Sequence, residues 1–130
     1  MLLICDEVQT GNGRTGKFFA FQHSSIKPDI VTLAKGLTSS YFPLGAMGVS
    51  DAIADHFRKN VFWGGLTYNS HPVGLATAEA VLHVMMDEGM IENAAKMQAV
   101  VRREMDELQR KHVSVLDGRV LGLFGMVDLR

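Results

Sequence analysis

The sequence has little cysteine and little net charge, and each shortage excludes a class of protein. A single cysteine, Cys5, excludes an internal disulfide and a cysteine-rich zinc site, and it favours a reducing compartment. We therefore expect a cytoplasmic protein. A net charge of −1 provides no basic field for nucleic acid, so no partner of that kind is expected.

Long apolar runs and metal-ligand spacing are missing as well. The longest apolar helical stretch, residues 73–86, carries Glu79 and His83, and it is too short and too polar to cross a bilayer. The five histidines do not have the spacing of metal ligands. The sequence therefore predicts neither a membrane span nor a metal site.

The chain has the composition of one globular domain, but its ends are unusual. Apolar residues make up 47% and charged residues 21% of the 130 residues, which is enough to bury a core. The chain opens directly in an apolar, strand-like run and closes in another. Because terminal strands without neighbours in a sheet are a liability, we expect a fragment of a longer chain.

The order of the predicted elements favours an α/β fold. Short apolar runs predict buried strands, apolar residues at helical spacing predict helices, and Gly89 is expected to separate the two longest helices. The predicted strands are Leu2–Cys5, Ile30–Ala34 and Val120–Leu129, the predicted helices are Asp51–Arg58, Val73–Glu88 and Met90–Lys111, and Thr38–Gly48 is predicted to be rich in turns. Strands that precede helices are typical of α/β proteins.

A glycine-rich loop follows the first predicted strand and allows three interpretations. Residues 11–16, Gly-Asn-Gly-Arg-Thr-Gly, match the dinucleotide-binding pattern, but that turn should open a helix, and here the aromatic run 17–21 follows. Residues 11–17 nearly match a phosphate loop, but Phe18 stands where a serine or threonine would bind Mg²⁺. Taken alone, the glycines are best explained as residues that let a surface loop turn.

An acid and a lysine stand at the ends of the first two predicted strands. If these strands are parallel neighbours, Asp6 and Lys35 emerge at the carboxyl edge of one sheet, where open α/β sheets bind ligands. Alone, Asp6 would be interpreted as a cap or a loop ion pair, and Lys35 as a solvated turn lysine. Together they suit pyridoxal phosphate, which needs an amine for a Schiff base and a carboxylate that keeps its ring nitrogen protonated.

Four segments of the sequence resemble those of the class III aminotransferases. Residues 3–17, Leu-Ile-Cys-Asp-Glu-Val-Gln-Thr-Gly-Asn-Gly-Arg-Thr-Gly-Lys, resemble the family signature, in which an apolar strand runs into Asp-Glu-Val-Gln and a Gly-Arg-Thr-Gly loop. Residues 28–37 resemble the lysine strand of the family, and residues 42–46 and 65–72 match two further segments in the same order. The resemblance covers nearly the whole chain.

The resemblance implies a fold, an activity and an assembly. The fold would be α/β, part of the large domain of a fold-type-I pyridoxal-phosphate enzyme, with residues 1–112 in that domain and residues 113–130 at the start of a truncated small domain. The activity would be transfer of an amino group from an amino acid or ω-amino compound to a keto acid. The enzyme would be a homodimer whose cofactor sites are shared between subunits.

The resemblance also implies roles for five residues. Lys35 would form the Schiff base with pyridoxal phosphate and then shuttle protons, and Asp6 would pair with the pyridine nitrogen. Val8 would lie against one face of the ring, and Gln9 would hydrogen-bond its phenolic oxygen. Thr67 would reach the cofactor phosphate of the partner subunit.

Several features limit what the resemblance implies. Glu7 and Arg14 match the family pattern, but a loop ion pair and a site contact both stay open for them, and Asn12 replaces a bulkier family residue. The phosphate-binding turn, the ring-stacking aromatic residue and the substrate-gripping domain of the family have no counterpart in this sequence, so we expect the isolated chain to be weak or inactive. The alternatives are an aminomutase or racemase of the same fold, a non-catalytic remnant, and a dinucleotide-dependent oxidoreductase.

Overall fold

A computed structural model describes residues 1–130 and has a mixed α/β fold. The five strands are β1 (Ile4–Asp6), β2 (Ile30–Leu33), β3 (Ala46–Val49), β4 (Val115–Leu121) and β5 (Phe124–Leu129), and the three α-helices are α1 (Asp51–Lys59), α2 (Pro72–Asp87) and α3 (Met90–Lys111). Two short 3₁₀ helices cover Ala20–His23 and Lys35–Thr38. The predicted fold class is confirmed.

The first sheet has the order β1-β2-β3 and positions the two candidate catalytic residues. β1 pairs with β2 in parallel, and Asp6 lies beside Thr32 in the register. Lys35 follows β2 directly, so the prediction that Asp6 and Lys35 share a carboxyl edge is confirmed. β2 also pairs with the antiparallel β3, which the sequence analysis missed because Pro43 and Gly45 made its surroundings resemble turns.

The two long helices form as the apolar spacing predicts. α3 has the predicted bounds, and α2 begins one residue earlier than predicted, because Pro72 suits the first helical turn, where its missing N–H costs nothing. Gly89 separates the two helices in a left-handed conformation, with φ of 62°. Glycine adopts that region without steric cost, which explains why the helical pattern breaks there.

The last segment is a hairpin rather than the single predicted strand. β4 and β5 pair antiparallel from Val115↔Leu129 to Leu121↔Phe124, and the turn contains Gly122 with φ of 59°. The hairpin packs on α3, where Arg102 Nη1 donates to Gly118 O at 2.6 Å. The predicted division of the chain between residues 112 and 113 falls in the loop before this hairpin and stays a prediction.

The core of the chain is small for its length. Only 12 of 130 residues are buried, and the apolar ones are Leu37, Ala78, Met85 and Ala94. Large apolar side chains lie exposed instead, above all on the segment between α1 and α2. No helix combines the length and apolar character that crossing a membrane requires.

Candidate active site

Lys35 lies at the end of β2 in an unusual backbone conformation. Its φ is 46°, in the left-handed region, and the 3₁₀ helix Lys35–Thr38 begins with it. A non-glycine residue in this region is strained by about 1–3 kcal/mol, and such residues cluster at functional sites. The side chain of Lys35 is exposed at the edge of the sheet.

The loop after β1 is built around Glu7, which is only 2% exposed. Its carboxylate accepts hydrogen bonds from Thr10 Oγ1 at 2.5 Å and from the Phe21 N–H at 2.8 Å. Neither Glu7 nor Arg14 takes part in an ion pair, so the loop ion pair that the sequence left open for them does not form. Glu7 instead ties the loop to itself and to the aromatic segment.

The glycines of this loop allow it to pack tightly on α3. Gly13 and Gly16 both have φ of 83°. A Cβ added to Gly13 would lie 2.9 Å from Ile91 Cγ1, and one added to Gly16 would lie 2.9 Å from the Cα of Ala95. The α-helix that a dinucleotide-binding turn requires does not follow, since the next helical residues are the single 3₁₀ turn Ala20–His23. The glycines therefore serve close packing.

A cavity of about 400 Å³ opens beside Lys35. Three of the five predicted site residues line it, namely Val8, Gln9 and Lys35. Arg14 also lines the cavity, so its two charged residues are both cationic. Residues 123–125 of the β4–β5 hairpin form the opposite wall. Asp6 lies at the same sheet edge but does not line the cavity, and its Oδ1 accepts the N–H of Val8 at 2.9 Å.

Thr67 is not part of this cavity. It begins a turn in the segment of residues 60–70, where every residue is exposed. Trp63, Leu66 and Tyr68 of the same segment are 92%, 78% and 77% exposed. Thr67 therefore does not line the cavity beside Lys35 within one chain.

Sequence reasoning missed two contributions to the site. Asn12, to which the sequence analysis gave no role, lines the cavity with φ of 56°, and its Nδ2 donates to the carbonyl of Ala34 at 3.5 Å. The only signal for this role was the tolerance of asparagine for the left-handed region. The hairpin wall of residues 123–125 had no signal, because its contact with the first loop is distant in sequence.

The structure contains no group of three or more His, Cys, Asp or Glu side chains that could hold a metal ion.

The fold has counterparts among known proteins. A taurine:2-oxoglutarate aminotransferase from Bifidobacterium kashiwanohense, solved with PLP and glutamate, superposes with a TM-score of 0.96 and 37% identity, over 99% of this chain and 29% of that one. An S-selective transaminase from Arthrobacter sp. superposes with a TM-score of 0.94 and 43% identity, over 99% of this chain and 28% of that one. These neighbours define the class: the chain has the fold of pyridoxal-phosphate-dependent transaminases and covers part of their larger domain.

The family follows from the sequence comparison. The family model for "Aminotransferase class-III" matches residues 1–130. The mitochondrial ornithine aminotransferase of Rattus norvegicus is 36% identical over 130 residues, which is 100% of this chain and 29% of that protein. The chain belongs to the class III aminotransferases, which depend on pyridoxal phosphate, and it spans less than a third of the length of these relatives.

Proposed function

We propose that this chain carries the reactive amine and the ring-binding residues of a transaminase that moves an amino group from an amino acid or ω-amino compound to a keto acid. The position of Lys35 carries the proposal. Its backbone is left-handed, and its side chain lines a cavity together with Val8 and Gln9. A strained backbone beside an open cavity is typical of a functional residue.

The residues around the cavity fit pyridoxal phosphate. Lys35 supplies an exposed amine, and Asp6 uses Oδ1 for the Val8 N–H, which leaves Oδ2 for a ligand at the same sheet edge. Gln9 supplies a carboxamide, and Val8 supplies an apolar surface. These residues would supply the amine, the carboxylate, the hydrogen-bond donor and one apolar face that the pyridine ring of the cofactor needs.

Each residue contributes one task. When bound, pyridoxal phosphate draws electrons from the substrate carbon that loses its proton. Lys35 would hold the cofactor through Nζ and, once released as the free amine, would carry that proton between the reacting carbons. Asp6 accepts a charge-assisted hydrogen bond from the ring N–H. Val8 packs against one face of the ring, and Gln9 donates an N–H to the phenolic oxygen.

The proposal includes a homodimer that shares its two sites. Thr67 lies in a glycine-containing segment, and its neighbours Trp63, Leu66 and Tyr68 are almost fully exposed. Exposed aromatic and aliphatic side chains in one segment are typical of a protein interface. Burial of this segment against a second subunit would bring Thr67 to the phosphate of the partner's cofactor.

The isolated 130-residue chain is expected to turn over weakly or not at all. Its small core and its exposed apolar segment leave much of the site without support. Positioning of the substrate supplies roughly 7–11 kcal/mol of barrier lowering in well-oriented reactions, and this chain offers few residues to provide it. A cytoplasmic location, inferred from the single cysteine, is part of the same proposal.

The test uses the enzyme at its natural length, loaded with pyridoxal phosphate and reduced with borohydride. Peptide mapping is expected to find the reduced cofactor on Lys35, and Lys35→Ala is expected to lose it together with transamination. Lys17→Ala is the matched control, because the Lys17 Nζ only donates to Gln22 O at 2.8 Å on the surface. A label on Lys17 or Lys59 would overturn the assignment. Product formation without a keto acid would favour the aminomutase or racemase instead.

A further inference from the structure

We propose that Glu7 is a positioning residue, whose buried carboxylate fixes the turn that presents Val8 and Gln9 to the cofactor. The inference rests on the proposed function, because it assigns Glu7 a part in the site formed by these two residues and Lys35. Glu7 itself does not line the cavity. Its effect on the reaction is therefore transmitted through the backbone of its neighbours.

The carboxylate of Glu7 is an unusual group to bury. It is 2% exposed, and no cation neutralises it. Burial of a carboxylate is costly unless hydrogen bonds replace its hydration. Thr10 Oγ1 donates to Oε2, and the Phe21 N–H donates to Oε1. One of these bonds closes the turn of residues 7–10, and the other fastens that turn to the aromatic segment.

The backbone of Glu7 is fastened on both sides as well. Its N–H donates to the carbonyl of Thr32 at 2.9 Å, which extends the pairing of β1 with β2 by one residue. Its carbonyl accepts the N–H of Gly11 at 2.9 Å. Thr32 lies three residues before Lys35 in the sequence, so Glu7 connects the loop of Val8 and Gln9 to the strand that ends at the lysine.

Gly11 shows how closely the turn is folded around this residue. A Cβ added to Gly11 would lie 2.8 Å from Glu7 O and 3.2 Å from Glu7 Cβ. Because Gly11 lies against Glu7, the three residues between them must form a tight turn. Loss of the two side-chain bonds would therefore release a turn that the backbone alone holds at its ends, and Val8 and Gln9 are the residues that would move.

The test compares three variants of the enzyme at its natural length. Glu7→Met keeps the length of the side chain and removes both acceptors. Glu7→Gln keeps an oxygen for the Phe21 N–H, while its amide can donate to a rotated Thr10 hydroxyl. Glu104→Met is the control, because Glu104 is exposed and its carboxylate pairs with Arg103 on the surface of α3.

Glu7→Met is expected to lower kcat by roughly 10- to 100-fold, because small misplacements of catalytic groups cost about that much. It is also expected to change the visible circular dichroism of the bound cofactor, which reports the orientation of the ring. Glu7→Gln is expected to restore both to near wild-type values. A Glu7→Met enzyme with unchanged kcat and unchanged circular dichroism overturns the proposal, and so does a Glu7→Gln enzyme as impaired as Glu7→Met.

Two further measurements keep the result interpretable. If Glu7→Met does not fold, Thr10→Val removes one of the two bonds at constant size, and an unchanged spectrum and kcat in that variant overturn the proposal. Hydrogen exchange at the Gly11 amide, measured without cofactor, is expected to be faster in Glu7→Met or Thr10→Val than in wild type. This readout is independent of Lys35, so failure of the borohydride test would overturn the proposed function while exchange still decides whether Glu7 fixes the turn.

Discussion

The loop after β1 and the segment before α2 both match family signatures, yet the chain supports them in opposite ways. The first loop is fastened by the buried Glu7 and by glycines that press on α3. In the segment of residues 60–70, every residue is exposed, and the contacts that hold it are at its start, where the ring of Phe62 lies 5.1 Å from that of Phe57. The first loop is therefore held by contacts within the chain, whereas residues 60–70 leave their apolar side chains exposed.

The largest expected effect tests whether the two regions serve different subunits. Lys35→Ala and Thr67→Ala chains are expected to be nearly inactive as separate homodimers. Mixed dimers would have one site with both residues and one site with neither. Mixing is expected to restore roughly a quarter of wild-type activity, because half of the dimers are mixed and each has one intact site.

The control for this experiment is a measurement of heterodimer formation by mass spectrometry. If heterodimers form and activity does not return, Thr67 acts within its own subunit or not at all. The loop after β1 and residues 60–70 would then differ in exposure, but they would not serve different subunits.

Asp6→Asn tests the first of the two regions, because Asp6 is the exposed acid at the start of the loop after β1. The substitution keeps the shape of the side chain and the acceptor for the Val8 N–H, but it removes the charge that would hold the ring nitrogen protonated. The rate is expected to fall roughly a thousandfold, or about 4 kcal/mol in the transition state. Single-turnover kinetics at saturating cofactor measure the loss, and a near-wild-type rate with the cofactor fully bound would contradict the role.

A pair of glycine substitutions compares the stability of the two regions directly. Gly16→Ala places a methyl group 2.9 Å from the backbone of Ala95 at a φ of 83°, and it is expected to cost about 2–4 kcal/mol in the free energy of unfolding. Gly65→Ala meets nothing within 4 Å in the chain, and it is expected to change that free energy by less than about 0.5 kcal/mol. Urea unfolding measures both, and equal losses would remove the contrast.

The smallest expected effect concerns the backbone of Lys35. Lys35→Gly relieves the left-handed strain at φ of 46°, and Lys35→Ala keeps it. The glycine variant is therefore expected to be more stable than the alanine variant by about 0.5–1 kcal/mol. Thermal unfolding without cofactor checks the difference. A less stable glycine variant would show that the conformation of Lys35 is not strained.

The sequence predicted the parts of the fold that depend on local patterns. The helical spacing gave the exact bounds of α3, and the apolar runs identified β1 and β2 well enough to pair Asp6 with the lysine strand. It failed at β3 and at the β4–β5 hairpin. β3 is the short apolar run Ala-Met-Gly-Val, but Pro43 and Gly45 directly before it made the surroundings resemble turns. In the hairpin, Gly122 marks the turn with its left-handed conformation, but the pairing of the two strands is not a local pattern.

The sequence predicted three residues of the cavity lining, but not Asn12 or the hairpin wall, which long-range packing brings there. Val8, Gln9 and Lys35 meet at one cavity as the resemblance implied. Asn12 and the hairpin wall join them only because the loop folds against α3 and the hairpin, and no local pattern encodes those contacts. The buried state of Glu7 is of the same kind, because its carboxylate accepts the Phe21 N–H, 14 residues further along the chain.

The contact between the first loop and the hairpin turn also constrains how the chain folds. Leu123 donates its N–H to the carbonyl of Arg14 at 2.9 Å, and Gly122 lies so close to Thr15 that no side chain would fit there. These partners stand near opposite ends of the sequence, so a large loop must close before they meet, and such closure slows folding. During synthesis the glycine loop is made well before the hairpin that covers it, so this wall of the cavity is missing until the hairpin has been made.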